Sequence, residues 1–337
     1  MREVIQMYPD ADVVAAYGST GDCGGRPVTY GPANRYRPLL KSLGLDRPAA
    51  CLGFARTPLP SDTDLVISDG HTATLWAMVP NGTPWVHYCH TPSRFLWRPD
   101  LLSPGAGSRV AWSALRPLMR HMDRRHAQLP TAIVSNSRTT ALRVAEFYRR
   151  DSQIIHPPVD TNYFHPPTED DTDGYFLVVG RLEHYRRYQD VIMAAHAVRM
   201  PLFVVGDGGA RRELRQQFES GLIRFLGRVP DHQLRELYGG AIALVVPNEE
   251  DFCMVAIEAM ACGTPVLGLN RGGVSETVEE CVSGILFRTP ASSAIADAMR
   301  QACRMAWDRD RIRSGALQYS RETFREKMAA TVATVNH

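Results

Sequence analysis

The chain has 337 residues, 44% of them hydrophobic, too many for one typical core and suited to two domains of about 150 residues each. A formal net charge of +2, with basic residues dispersed along the chain rather than gathered in a tract, argues against a nucleic-acid partner. Seven cysteines without metal-type spacing, no apolar run of membrane-spanning length and no apolar N-terminal leader point to reduced thiols in a cytoplasmic protein.

In chain order, the short apolar runs Asp12–Ala16, Asp64–Ile67, Trp85–Tyr88 and Ala132–Ser135 are expected as buried parallel strands of a first α/β domain, residues 1–155. Before the last of these runs, Arg109, Arg116, Arg120, Arg124 and Arg125 accompany Trp112, Leu115, Leu118 and Met119 on one predicted helix. Two readings stand for it: a core face backed by a solvated face, or a basic amphipathic helix making peripheral contact with an anionic membrane at its inner face. Residues 156–170, from His156-Pro157-Pro158-Val159-Asp160 to Pro166-Pro167-Thr168-Glu169-Asp170, are stiffened by proline and acidic, and are predicted as the interdomain linker.

From 171 to 308 the alternation restarts, with strands expected at Tyr175–Val179, Leu202–Val205, Arg224–Leu226, Ala243–Val246 and Pro265–Gly268 and a helix over Asp231–Tyr238. Glycine turns follow two of these strands, at Gly180 and at Gly206-Asp207-Gly208-Gly209, where backbone can approach a ligand closely. The second turn, assigned here to the third strand of this domain, misses the GxGxxG spacing and is weak support for an oxidoreductase. Residues Ala316–Asn336 have a helical pattern.

The densest chemistry lies in Pro247–Val266, where a strand end leads into a helix closed by Gly263. Glu250 and Glu258 bracket its start. With a helix beginning near Cys253, its free N–H groups and positive dipole end face the space between the two carboxylates, a ready diphosphate site. Eight residues at about 1.5 Å each separate the carboxylates by up to ~12 Å, so one ligand could bridge both. Taken alone, two glutamates so spaced are more often ordinary first-turn and surface residues.

The whole string resembles the E-x7-E signature of retaining GT-B glycosyltransferases, family 4, with its following E-A-x-A-x-G-T-P-V run at Glu258–Val266. Val179–Arg187 is similar to that family's diphosphate-binding turn, and Phe225–Asp231 to its base-side loop. Gly272-Gly273 with Glu276, and Pro157–Asp160, match further. Tyr88–Trp97 resembles the C-H-T-P-x-R-x-x-W segment of the subgroup typified by GDP-mannose-dependent mannosyltransferases, and so does the Glu249-Glu250-Asp251-Phe252 form of the acidic motif.

The resemblance implies an α/β, GT-B architecture of two Rossmann-like doubly wound domains facing each other across a cleft, with 309–337 returning to the first domain. It implies retaining transfer of a hexose, mannose from GDP-mannose, to a hydroxyl acceptor the sequence does not name, with no cofactor and no metal. By position, Arg181 and Arg186 would hold the diphosphate, Val229 would lie near the base, and Glu250 would contact the sugar. Backbone around Phe252, Cys253 and Met254 would hold sugar hydroxyls or phosphate oxygens, Glu258 would bind ribose, and His90 would reach the sugar from the opposite domain. His71 and Arg94 are acceptor-side candidates. A non-catalytic sugar-nucleotide-binding protein of the same fold is the alternative.

Three departures stand out. Arg186 replaces the usual lysine, in a chain whose only lysines are Lys41 and Lys327, and Cys253 replaces the usual glycine. Met1–Tyr17 matches the family only from partway along its first helix. The family's first strand and glycine-rich loop are therefore expected to be missing, through a start assigned downstream of the real one or a true truncation.

Overall fold

The computed structural model describes residues 2–15, 27–30, 53–56, 59–70, 75–98, 109–167 and 174–336. Of the candidates above, His71 and the side chains of Arg109 and Trp112 lie outside them. The chain forms two compact units, Met1–His156 with Phe324–His337, and Pro157–Thr323.

In the first unit, α1 (Arg2–Met7) leads into β1 (Val13–Ala15), which pairs in parallel with β2 (Val28–Tyr30). A second parallel sheet runs β3 (Val66–Gly70), β4 (Trp85–Cys89), β5 (Ala132–Ser135) and β6 (Gln153–Ile154), with α2 (Arg94–Trp97), α3 (Arg109–His126) and α4 (Arg138–Tyr148) in the crossovers. Side chains alternate across a strand, and β4 shows what that does when both faces are covered. Val86 and Tyr88 join Val134, Ile155, Phe324, Met328 and Val332, while Trp85 and Cys89 join Ile133, Val144 and Tyr148. β3 starts and ends later than expected because its polar residues are paired: Ser68 Oγ accepts from the Trp85 indole at 2.9 Å and meets His87 Nδ1 at 2.8 Å.

The second unit alternates β7 (Tyr175–Val179), α5 (Tyr188–Val198), β8 (Leu202–Val205), α6 (Arg211–Phe218), β9 (Ile223–Gly227), α7 (Asp231–Gly240), β10 (Ala241–Val246), α8 (Met254–Ala261), β11 (Val266–Leu269), α9 (Val274–Thr277), β12 (Gly284–Phe287) and α10 (Ser292–Ala302), followed by α11 (Arg309–Leu317). All six strands are parallel, in the order β12-β11-β10-β7-β8-β9. Phe176 and Val178 of β7 face one core layer and Tyr175 and Leu177 the other. The chain reverses its direction of winding between β7 and β10, and in such sheets ligands settle at the carboxyl ends of the strands flanking the reversal.

Gly206 follows β8, the second strand of this unit and not the third. A Cβ there would lie 1.9 Å from the Gly180 carbonyl oxygen, so the glycine lets two strand ends touch and forms no dinucleotide loop. Residues 157–167 are packed into the second unit: Val159 and Phe164 are buried in its core, and the Arg313 guanidinium donates to the Phe164 and Thr161 carbonyls at 2.9 and 3.0 Å. Residues 309–323 also belong there, because Ile312 and Ala316 of α11 are fully buried in the same core.

The helical pattern over Ala316–Asn336 is interrupted at Gln318–Ser320. Tyr319 is buried at the break, its carbonyl accepts from Val159 N–H at 2.9 Å, and Ser320 Oγ accepts from Thr323 N–H at 3.2 Å. α12 (Arg321–Val335) then carries Phe324, Met328 and Val332, spaced four apart, into the first unit's core. No helix among the described residues is long and apolar enough to cross a membrane.

Candidate active site

Two chain segments meet at the reversal of the six-stranded sheet. After β7 the backbone turns through Gly180, Arg181 and a 3-10 turn at His184–Arg186 before α5 begins. Fully buried Leu182 pins this turn: its N–H donates to the Asp207 carbonyl at 3.0 Å and its carbonyl accepts from Ala210 N–H at 2.8 Å. Tyr188 braces it from below, its hydroxyl donating to the Val179 carbonyl at 3.2 Å. Arg186 thus leaves a fixed backbone.

After β10 comes Pro247-Asn248-Glu249-Glu250. Buried Asn248 donates to Glu250 Oε1 at 3.0 Å, and the Glu250 carbonyl accepts from Gly273 N–H at 2.8 Å. A Cβ on Gly273 would sit 2.3 Å from Phe252 Cα, so Gly272-Gly273 buttress the loop that carries Glu250. Phe252 itself is buried, edge-on to Tyr319 with ring centroids 5.6 Å apart.

The two segments are joined by an ion pair and hydrogen bond between Arg186 Nη1 and Glu250 Oε1. Their side chains are only 16% and 15% exposed. Burial works against the guanidinium charge, but the Glu250 carboxylate outweighs it and moves the Arg186 pKa upward. Arg181 is exposed and makes no side-chain hydrogen bond or ion pair among the described residues.

Cys253 precedes α8 in the left-handed region, φ 76°, a conformation that costs a residue with a Cβ about 1–2 kcal/mol and glycine almost nothing. That is the physical reason glycine suits this position. The thiol is packed in the apolar core with Phe252, Ala256 and Ile257, and burial pushes its pKa up. Met254 is exposed. The first-turn amides of Met254 and Val255 have no backbone acceptor among the described residues, as the open end of a helix requires. Gly263, φ 76°, closes α8.

Glu258 is the one ionisable side chain of α8. It accepts from the Tyr238 hydroxyl at 2.9 Å. Burial raises its pKa to about 7 against the lowering effect of that bond. Val229 is half-buried against the same core layer as Tyr238. Arg186, Glu250, Cys253 and Glu258 therefore belong to one electrostatic neighbourhood, since Glu250, Arg186 and Glu258 all act on the Cys253 thiol.

In the first unit, His90 follows β4 and its Nε2 lies 2.6 Å from Asp69 Oδ1 at the end of β3. Burial opposes ionisation of Asp69, yet the His90 hydrogen bond and charge hold its carboxyl below the ordinary range. Thr140 Oγ1 donates to the His90 carbonyl at 3.1 Å. Arg94 opens α2. Asp69, Tyr188, Tyr238 and Asn248 escaped the sequence reading, because single polar residues inside apolar runs carry no spacing signal.

On α3, Arg120 and Arg124 do not form a free basic face. Their Nε atoms donate to the Leu96 and Phe147 carbonyls, each at 2.7 Å, and both guanidinium groups lie over the Trp97 ring at 5.3 Å.

Residues 159–318 match the family Glycosyl transferases group 1. The D-inositol 3-phosphate glycosyltransferase of Frankia alni is 32% identical over 193 residues, 49% of this chain and 47% of that protein. The GDP-mannose-dependent alpha-mannosyltransferase of Mycolicibacterium smegmatis is 30% identical over 193 residues, 54% of this chain and 49% of that protein. The chain spans about half the length of these curated relatives. Among solved structures, Anabaena HepE in complex with UDP and glucose is similar in fold, with TM-score 0.71, 19% identity and coverage of 98% of this chain and 94% of that one. Sucrose-phosphate synthase from Thermosynechococcus elongatus has TM-score 0.68 and 18% identity over 97% of this chain and 86% of that one. The family match lies on the unit that carries Arg186, Glu250 and Glu258, and the chain has the GT-B fold.

Proposed function

We propose that the chain is a retaining glycosyltransferase that moves mannose from GDP-mannose to a hydroxyl acceptor. The observation that carries this reading is the meeting of Arg186 and Glu250 at the reversal of the sheet, beside the open start of α8 and the Glu258 carboxylate. As the glycosidic bond to the diphosphate breaks, negative charge grows on the departing phosphate oxygen and positive charge on the anomeric carbon. Arg181, Arg186 and the first-turn amides of α8 stabilise the first. Glu250 holds the transferred sugar through its hydroxyls, with Asn248 fixing the carboxylate. His90, held by Asp69 in the first unit, is the further sugar contact that the resemblance assigns. Glu258 takes the ribose hydroxyls and Val229 lies against the base.

Mannose as the sugar is supported by the Tyr88–Trp97 and Glu249–Phe252 segments and by the similarity to an enzyme named GDP-mannose-dependent alpha-mannosyltransferase. The rival donor is a UDP sugar, since HepE was solved with UDP and glucose. Calorimetry with GDP-mannose and UDP-glucose, followed by a transfer and hydrolysis assay, tests the reading. GDP-mannose is expected to bind more tightly and to turn over, and Glu250→Gln to lower transfer by roughly 100-fold, the scale of losing one transition-state contact. Tight binding without turnover would favour a non-catalytic binding protein, and wild-type transfer by Glu250→Gln would remove Glu250 from its role.

A further inference from the structure

Tyr238 touches no atom of the proposed reaction, yet its hydroxyl is committed to one of the two glutamates. The residue sits in the last turns of α7, its side chain fully buried and its ring edge-on to Phe164 at 5.9 Å. The backbone around it is held as firmly. Thr264 Oγ1 donates to the Tyr238 carbonyl at 2.5 Å, and the Arg309 guanidinium donates twice to the Gly239 carbonyl, at 3.0 and 3.1 Å. A hydroxyl on a ring so confined points in one direction, and that direction is Glu258 Oε2, 2.9 Å away.

Glu258 needs such a partner. It lies on α8 between fully buried Ile257 and Ala259, and an ionised carboxylate in that setting is costly unless hydrogen-bonded. One donor reaches Oε2, and Oε1 has no protein donor among the described residues. A carboxylate with one oxygen held and the other open is a preset acceptor for a ligand hydroxyl. α7 adds a connection of its own: it starts at Asp231, directly after the base-side Val229-Pro230, so one helix joins the base-side loop to the residue that holds Glu258.

We infer that Tyr238 is a positioning residue for nucleotide recognition, fixing Glu258 so that its free oxygen meets the ribose hydroxyls of the donor. The inference rests on the proposed role of Glu258 and goes beyond it, since it assigns ribose selection to a buried pair and not to one carboxylate.

The test is calorimetry on the full chain with GDP beside 2′-deoxy-GDP, and UDP beside 2′-deoxy-UDP, for the wild type, Tyr238→Phe and Glu258→Ala. For whichever base binds better, the wild type is expected to prefer the ribo form by about 10-fold or more, the worth of a hydrogen bond to a charged group. Tyr238→Phe should bring that ratio to within about threefold of unity while unfolding stays cooperative, an outcome a purely structural tyrosine would not give. A ratio kept by Tyr238→Phe but lost by Glu258→Ala overturns the inference and leaves the ribose assignment standing. A ratio kept by Glu258→Ala removes the assignment, and the inference with it. Should Tyr238→Phe fail to fold, a crystal structure of the wild-type chain with GDP decides: Oε2 on Tyr238 with Oε1 on the ribose upholds the inference, and a carboxylate turned away from Tyr238 overturns it.

Discussion

Asp123 in the first unit and Glu258 in the second are both carboxyl groups that burial pushes up to about 7, and they differ in what closes around them. The Trp97 indole donates to Asp123 Oδ2 at 2.7 Å, and the Tyr148 hydroxyl and Trp76 indole also favour its charged form. Asp123 is fully buried, and Arg120 and Arg124 cover Trp97 from outside. Glu258 has one side-chain donor among the described residues and remains partly accessible. A perturbed carboxyl group marks a functional site only when a ligand can still reach it. The first of these carboxyls organises a core, and the second keeps the exposure that the proposed ribose contact requires.

Exchanging each residue for alanine is the strongest attempt to break this contrast. Asp123→Ala leaves the buried Trp97 indole without its acceptor and opens a gap among packed aromatic rings, and should cost about 3 kcal/mol or more of unfolding free energy by urea denaturation. Glu258→Ala should cost less than half as much, and should instead weaken nucleoside diphosphate binding by about 10-fold. Equal losses of stability would show that the two carboxyls do the same work.

The pH dependence of stability sharpens the comparison at a smaller scale. Both groups have folded pKa values above their ordinary values of 3.8 and 4.5, so the folded chain holds more protons than the unfolded one between about pH 4 and 7. Their contribution is fully present below that window and is lost as pH rises through it. The unfolding temperature should fall from pH 5 to pH 8, Asp123→Asn should flatten the slope, and Glu258→Gln should flatten it less because solvent screens a partly open group. A slope unchanged in Asp123→Asn would contradict the assignment.

The smallest effect concerns strain beside Glu258. Cys253→Gly relieves the left-handed backbone but gives up a buried thiol and gains unfolded-state freedom, leaving stability within about 1 kcal/mol of wild type. Cys253→Ala keeps the strain and loses the thiol, so it should be the less stable of the two. The reverse order would mean that the left-handed strain at this position is smaller than the unfolded-state freedom that glycine gains.

Much of the second unit was legible because parallel strands buried on both faces read as unbroken apolar runs. Tyr175–Val179 and Leu202–Val205 match β7 and β8 residue for residue. Ala132–Ser135 does the same in the first unit. β3 was misplaced because Ser68 and Asp69 look like a strand end until their partners Trp85, His87 and His90 are known. Gln318–Ser320 was read as helix because its break is held by Val159, 160 residues earlier in the chain. Arg120 and Arg124 looked like a solvated or membrane-facing surface for the same reason: their acceptors, Leu96 and Phe147, lie more than twenty residues away.

By itself the sequence determined two α/β halves, most strand positions and the spacing of Glu250 from Glu258, since local apolar periodicity and a contiguous motif need no distant contact. Only the tertiary structure decided that Arg186 meets Glu250 across 64 residues, that Tyr238 holds Glu258, and that Asp123 is sealed among aromatic donors. Hydropathy reports whether a position is buried. The direction a polar side chain takes, toward a ligand or into a core, depends on partners that packing alone brings within hydrogen-bond reach.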